Sequence, residues 1–182
     1  MFTSNWFNEE ANIGNRIKSP VELLVGLQRQ LPITVSNEQT LLLAQRLMGQ
    51  MLFFPPNVAG WPGGRSWIDT SSLLLRLRLP QLIVAGKGFN MRPKTDDDQQ
   101  MGRTIASSVS TGFSSVKWDK FQSAFSDTAR PDLAKDISTF ILQTNSSIDT
   151  AMLLKYSDQS TRATYIKSVT MILFSCPEYQ LH

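Results

Sequence analysis

Glu9, Glu10, Glu22, Asp69 and Glu178 are the acids a hydrolase would recruit from this chain. A glycosidase needs two carboxyls about 5 to 10 Å apart across a cleft, one as acid and one as base or nucleophile. No two of these acids sit at a spacing that marks such a pair. Other routes are narrower. There is one cysteine, Cys176, and one histidine, His182. No intrachain disulfide can form, and a structural zinc site, which takes about four Cys or His ligands, is excluded. A Ser-His-Asp triad would have to rest on the terminal His182. Cys176 lies in the apolar run Ile172-Leu173-Phe174-Ser175-Cys176 and reads as a small buried hydrophobe rather than a nucleophile. Asp96-Asp97-Asp98 lacks the glycine turn and distal glutamate of a calcium loop, so it reads as a solvated charge run. Arg16, Lys18 and Glu22 could bind an anion at a helix start. The plainer reading is a pairing that docks this segment on the core.

The richest stretch is Phe53 to Ile68. It holds three prolines and three glycines, yet four large aromatics stand among them. Loops are ordinarily polar, so this one is packed down or is a contact surface. In the contact reading, Asn57, Trp61, Arg65, Trp67, Asp69 and Arg76 form a ligand- or partner-binding set. Trp61 and Trp67 would stack on sugar rings or partner side chains, with Arg65 and Asp69 making polar contacts. In the packing reading, both tryptophans fill the core between helices, which is the commoner fate of large aromatics. No catalytic residue, metal ligand or cofactor signature stands out.

The elements that would position these residues are helical almost throughout. Pro20 opens a helix that places Leu24, Leu27 and Leu31 on one face. A capping box at Ser36 to Gln39 precedes a helix with Leu43, Leu47, Met48 and Met51. Ser66 or Asp69 caps a third helix through Leu73 to Leu77, which Pro80 must break or kink. Lys87 to Ser115 is polar and aperiodic, a long linker with at most a short helix over Met101 to Ala106. Val116, Trp118, Phe121 and Phe125 then make a short amphipathic stretch. Pro131 starts a helix with Leu133, Ile137, Phe140 and Ile141 inward. A capping box at Ser146 to Asp149 precedes Met152, Leu153 and Tyr156. A last helix over Gln159 to Ser175 buries Ile166, Val169, Ile172 and Leu173. No strand is expected. The fold class is therefore all-α, with a helical region over 1–86, a linker over 87–115 and a C-terminal bundle over 116–182. The two helical parts are either separate or packed as one domain.

The run Gly49-Gln50-Met51-Leu52-Phe53-Phe54-Pro55-Pro56-Asn57-Val58-Ala59-Gly60-Trp61-Pro62-Gly63-Gly64-Arg65-Ser66-Trp67-Ile68 resembles, nearly position for position, the signature of a bacterial family known as domain of unknown function 1800. Ile17-Lys18-Ser19-Pro20 with Glu22-Leu23, Ser72-Leu73-Leu74-Leu75-Arg76, and Pro177-Glu178-Tyr179-Gln180 are similar to its flanking motifs, with Cys176 as a departure. In that family these motifs lie in the C-terminal third of a longer protein. The resemblance implies a missing N-terminal region, which would be a natural partner, and export to the periplasm or beyond. It implies no reaction. The N-terminus reads like the middle of a domain and carries no signal pattern.

The expected function is a non-catalytic helical module of a longer exported protein, acting in assembly or in recognition of an envelope protein or glycan. The alternative is part of a hydrolase of envelope or extracellular polymer, with its catalytic residues outside this chain. A net charge of +3 with scattered basic residues does not suggest nucleic acid, and no apolar run is long enough to span a membrane.

Overall fold

The computed structural model describes residues 3–35, 37–85, 113–142 and 148–182. Most of the expected linker lies outside these residues, including Asp96-Asp97-Asp98 and the short helix over Met101 to Ala106. So do Ser36 and Ser146. The described residues are mostly helical. They fall into two compact units, Ser19–Lys117 and a discontinuous one made of Met1–Lys18 with Trp118–His182.

The unit over 19–117 contains α1 (Pro20–Gln30), β1 (Ile33–Val35), α2 (Gln39–Leu47), α3 (Thr70–Val84) and β2 (Phe113–Val116). Pro20 occupies the first turn of α1, and a capping box joins Ser19 to Glu22. α2 starts without a side-chain cap from its own N-cap residue, Glu38. Asn37 Oδ1 instead accepts from the Gln39 amide at 2.9 Å. The core gathers Leu23, Leu24, Leu27 and Leu31 from α1, Leu43, Ala44 and Met48 around α2, and Leu75, Leu79 and Ile83 from α3.

The expectation of no strand fails here. Of the break or kink expected at Pro80, the break does not occur: α3 runs unbroken from Thr70 to Val84 with Pro80 buried inside it. The missing proline N–H costs one helix hydrogen bond, and burial of the apolar face on both sides of it offsets the loss. A small sheet is also present. β1 and β2 pair antiparallel, Ile33 opposite Val116 and Thr34 opposite Ser115, with an irregularity before Val35 opposite Phe113. Val116 is therefore in a strand, not on an amphipathic helix. The Lys117 amide extends the pairing by donating to the Pro32 carbonyl at 3.0 Å.

The discontinuous unit contains α4 (Trp118–Ser123), α5 (Leu133–Ile141), α6 (Thr150–Tyr156) and α7 (Arg162–Phe174). α7 is its centre and touches the other three. Its Tyr165, Ile166, Val169, Leu173 and Phe174 are buried, and its start is fixed by a capping box between Thr161 and Thr164. Arg162 Nη2 donates to the carbonyls of Phe125 and Thr128 at 2.6 and 2.7 Å, tying the α4–α5 connection to α7. Two inward positions shift from expectation: Phe140 is exposed and Ile172 is half-buried. Phe140 still holds its ring 6.0 Å from Phe121 and 5.9 Å from Phe125, edge to face, so it caps that aromatic cluster from outside.

The first residues belong to this unit through a backbone ladder. Arg16 and His182 exchange both amide-to-carbonyl bonds, at 3.1 and 2.9 Å, and the Lys18 amide donates to Gln180 at 2.8 Å. Lys18 is 7% exposed. Its Nζ donates to the Tyr179 carbonyl at 2.7 Å and lies 4.0 Å from the centre of the Tyr179 ring.

Candidate functional site

The connection from α2 to α3 is pinned at both ends and displayed in the middle. At its start, Gln45 lies in α2, and its side-chain oxygen accepts from the Leu52 amide at 3.4 Å. Gln50 Oε1 accepts from the Val21 amide at 3.0 Å, satisfying a donor in the first turn of α1. At its end, the short 3-10 helix Gly64–Trp67 delivers Trp67, 8% exposed, into the core. Ser72 Oγ then donates to the Trp67 carbonyl at 3.0 Å. Asp69 caps α3, its Oδ1 accepting from the Ser72 amide at 2.8 Å and from Ser71 Oγ at 2.7 Å. The Ser71 hydroxyl, then the Ser72 amide, hold the Asp69 carboxyl below the usual carboxylate range.

Between these anchors every residue from Leu52 to Ala59 is exposed. Two hydrogen-bonded turns shape the segment. In the first, the Phe54 amide donates to the Met51 carbonyl at 3.1 Å, leaving Leu52 and Phe53 at the corners. In the second, the Gly60 amide donates to the Asn57 carbonyl at 3.0 Å, with Val58 and Ala59 at the corners. Asn57 Oδ1 also accepts from the Ala59 amide at 2.9 Å. Pro55 and Pro56 join the turns and fix the backbone between them. Turn corners ordinarily carry Gly, Asn, Asp, Pro or Ser; here they carry Leu, Phe, Val and Ala. Phe53 has φ +67°, in the left-handed region that favours glycine, and is 90% exposed. Val58 is fully exposed.

The residues singled out from sequence are thus placed differently from one another. Asn57 shapes the second turn through its side chain. Arg65 is exposed on the 3-10 helix, and Asp69 is exposed at the α3 cap. Trp67 is core, while Trp61 is only half-buried. Arg76 is fully buried in α3, so it shares no open surface with Asn57 and Arg65. Burial lowers its guanidinium to about 10. Sequence reasoning missed Gln50, whose bond to α1 needs the tertiary fold, and missed that Phe53, Phe54 and Val58 are the displayed side chains. The available signal for the latter was the crowding of apolar residues around Pro55-Pro56.

An open depression of about 560 Å³ adjoins this connection in sequence, lined by Ile68, Asp69, Thr70, Leu73, Leu74 and Leu77. Elsewhere, Cys176 is buried and its Sγ donates to the Leu173 carbonyl at 2.9 Å. Burial pushes the thiol up to about 11, which keeps it protonated and unreactive near neutrality. Glu22 Oε2 accepts from the Ser19 amide at 2.7 Å within the α1 capping box. Among the described residues, no group of three or more Cys, His, Asp or Glu could hold a metal ion, and no helix is long and apolar enough to cross a membrane.

Residues 1–181 match the family described as Protein of unknown function (DUF1800), and the chain belongs to that family. No curated protein and no solved structure matches it.

Proposed function

We propose that this chain is a non-catalytic recognition module of a longer exported protein, and that it docks through the displayed segment Leu52–Ala59. The observation that carries this reading is the exposure of Phe53 in a left-handed backbone conformation. An exposed phenylalanine gains nothing from burial, and its backbone conformation costs on the order of 1 kcal/mol. Such a feature is retained where a partner covers the side chain. The two turns and the paired prolines hold the segment in shape before binding, so little entropy is lost on contact. Exposed apolar surface on a rigid frame marks interaction sites. Two of the acids that a hydrolase could recruit, Glu22 and Asp69, are used as helix caps, which is further support for a module without chemistry of its own. Export rests on the family resemblance.

The test is the double substitution Phe53→Ser with Phe54→Ser in the full chain, followed by thermal and urea melts. A displayed segment predicts a change within about 0.5 kcal/mol, as for surface positions in general. A loss above about 2 kcal/mol would show packed side chains and overturn the reading. So would turnover of a glycoside, ester or peptide by the purified chain that Asp69→Asn or Glu22→Gln abolishes.

A further inference from the structure

We propose that the outer face of α3 is a self-association surface, covered by α3 of a second copy of this chain running antiparallel to it. This surface does not include Leu52–Ala59, so it stands or falls apart from the recognition reading. α3 is apolar on two opposite sides. Its inner side buries Leu75, Leu79 and Ile83. A surface helix carries polar residues on the side away from the core. Here that side shows Leu73, Leu74 and Val84 exposed and Leu77 half-buried, with Arg78 and Gln81 among them. The open depression described above lies along it, floored by Leu73, Leu74 and Leu77 with Asp69 at one end.

A second copy is the occupant because the face is complementary to itself. In an isologous contact residue i meets residue j while j meets i. About a point between Leu73 and Leu74, an antiparallel mate brings Leu73 level with Leu74, Thr70 with Leu77, and the cap residue Asp69 with Arg78. Leucines meet leucines at the centre, and opposite charges meet at both ends. Asp69 and Arg78 are both exposed. The Ser71 hydroxyl and the Ser72 amide keep the Asp69 carboxyl ionised for the guanidinium that arrives. A parallel mate would instead set Asp69 beside Asp69 and Arg78 beside Arg78, and such like-charge contacts suppress a wrong pairing. α3 has 15 residues and so is about 22 Å long. A contact of that length is at the small end of specific interfaces, so the dimer is weak, with a Kd in the micromolar range or above.

The test is sedimentation equilibrium of the full chain across the micromolar range, where the parent should dimerise reversibly. Leu74→Gln and Arg78→Asp should each weaken the dimer at least ~tenfold while the dilute chain melts like the parent, since both positions are exposed. Asp69→Lys alone should not dimerise. Mixed with Arg78→Asp it should form a mixed dimer, because each chain then meets opposite charge at both ends. Disulfide trapping reads the direction. In the antiparallel pair the thiol of Leu74→Cys lies beside its own copy at the two-fold axis, while that of Val84→Cys lies about 30 Å from its copy. Oxidation should trap Leu74→Cys as a dimer and leave Val84→Cys as monomer; Cys176 is buried and does not compete. A parent that stays monomeric throughout, or a dimer that Leu74→Gln leaves intact, overturns the proposal. So does a Val84→Cys chain trapped as fast as Leu74→Cys, which is the parallel outcome.

Discussion

Phe53 and Gly60 occupy the same left-handed backbone region, φ +67° and +87°, but with opposite residue types. At Gly60 nothing lies within 4 Å of an added Cβ, so Gly60→Ala carries only the conformational cost. We expect a loss of about 1 kcal/mol in a urea melt. Phe53→Gly relieves the strain and should leave stability unchanged or raised by up to ~1 kcal/mol. A clear loss at Phe53→Gly would mean that the ring packs. The tryptophans divide in the same way. Trp67, nearly buried, should cost about 3 to 5 kcal/mol when cut to alanine. For Trp61, half-buried, a large aromatic in this loop suggested a similar cost from sequence, but its exposure lowers the expectation to about 1 to 2 kcal/mol. Equal losses at the two positions would contradict this division. Alkaline behaviour follows from burial as well. Desolvation raises the Cys176 thiol from 9.0 to about 11 and moves the Tyr179 phenol above its ordinary 10.0. The folded state keeps protons that the unfolded chain releases, so this stability is full below about pH 9 and lost as pH rises through the folded values. Cys176→Ala should make the fall that sets in above 9.0 shallower in a pH series of melts, leaving the tyrosine part, which sets in above 10.0.

At the scale of elements, caps decide where helices begin, and the α3 cap was legible: Asp69, expected there as one of two choices with Ser66, pairs with Ser72. Ser19 with Glu22 and Thr161 with Thr164 are equally local patterns that went unanticipated. Asp69→Ala should cost about 1 kcal/mol and Asp69→Asn much less, since asparagine keeps the accepting oxygen. If both cost the same, the cap is not what Asp69 contributes. What else stayed hidden was set by distant partners. β1 is only Ile33–Val35 and its mate only Phe113–Val116, each too short to show a period of two. Their pairing joins residues some eighty positions apart, which no local window contains. Pro80 does not break α3, because the proline rule is local whereas Leu75, Leu79 and Ile83 are buried on both sides of it. The α2–α3 connection was half legible. Its Pro and Gly content announced a shaped loop, and its aromatics announced packing or contact. Trp67 packs and Phe53 is displayed, a split that depends on which side of the second turn each residue falls.

At the scale of the whole molecule, the chain leaves one compact unit after Lys18 and returns to it at Trp118. The contact that brings the first residues into it is specific. Ile17 bridges Leu181, the Arg16 and His182 backbones bond reciprocally, and the Lys18 ammonium meets both the carbonyl and the ring of Tyr179. A buried, charge-assisted hydrogen bond of this kind is worth about 1.5 to 3 kcal/mol. Lys18→Met, which keeps the apolar stem and removes the ammonium, should therefore lower stability by at least about 1.5 kcal/mol. Amide exchange at Arg16 and His182 should accelerate with it, because their N–H groups donate across the ladder beside Lys18. The same contact predicts the behaviour of fragments. A piece of 116–182 lacks these strand-like residues and uncovers the Tyr179 ring and the backbones of Gln180 to His182. It should melt broadly and at lower temperature than the same piece with a peptide of residues 1–18 added in excess. A fragment of 116–182 that folds cooperatively alone, with no response to that peptide, would mean that the C-terminal helices form a self-sufficient bundle and that residues 1–18 are dispensable to it.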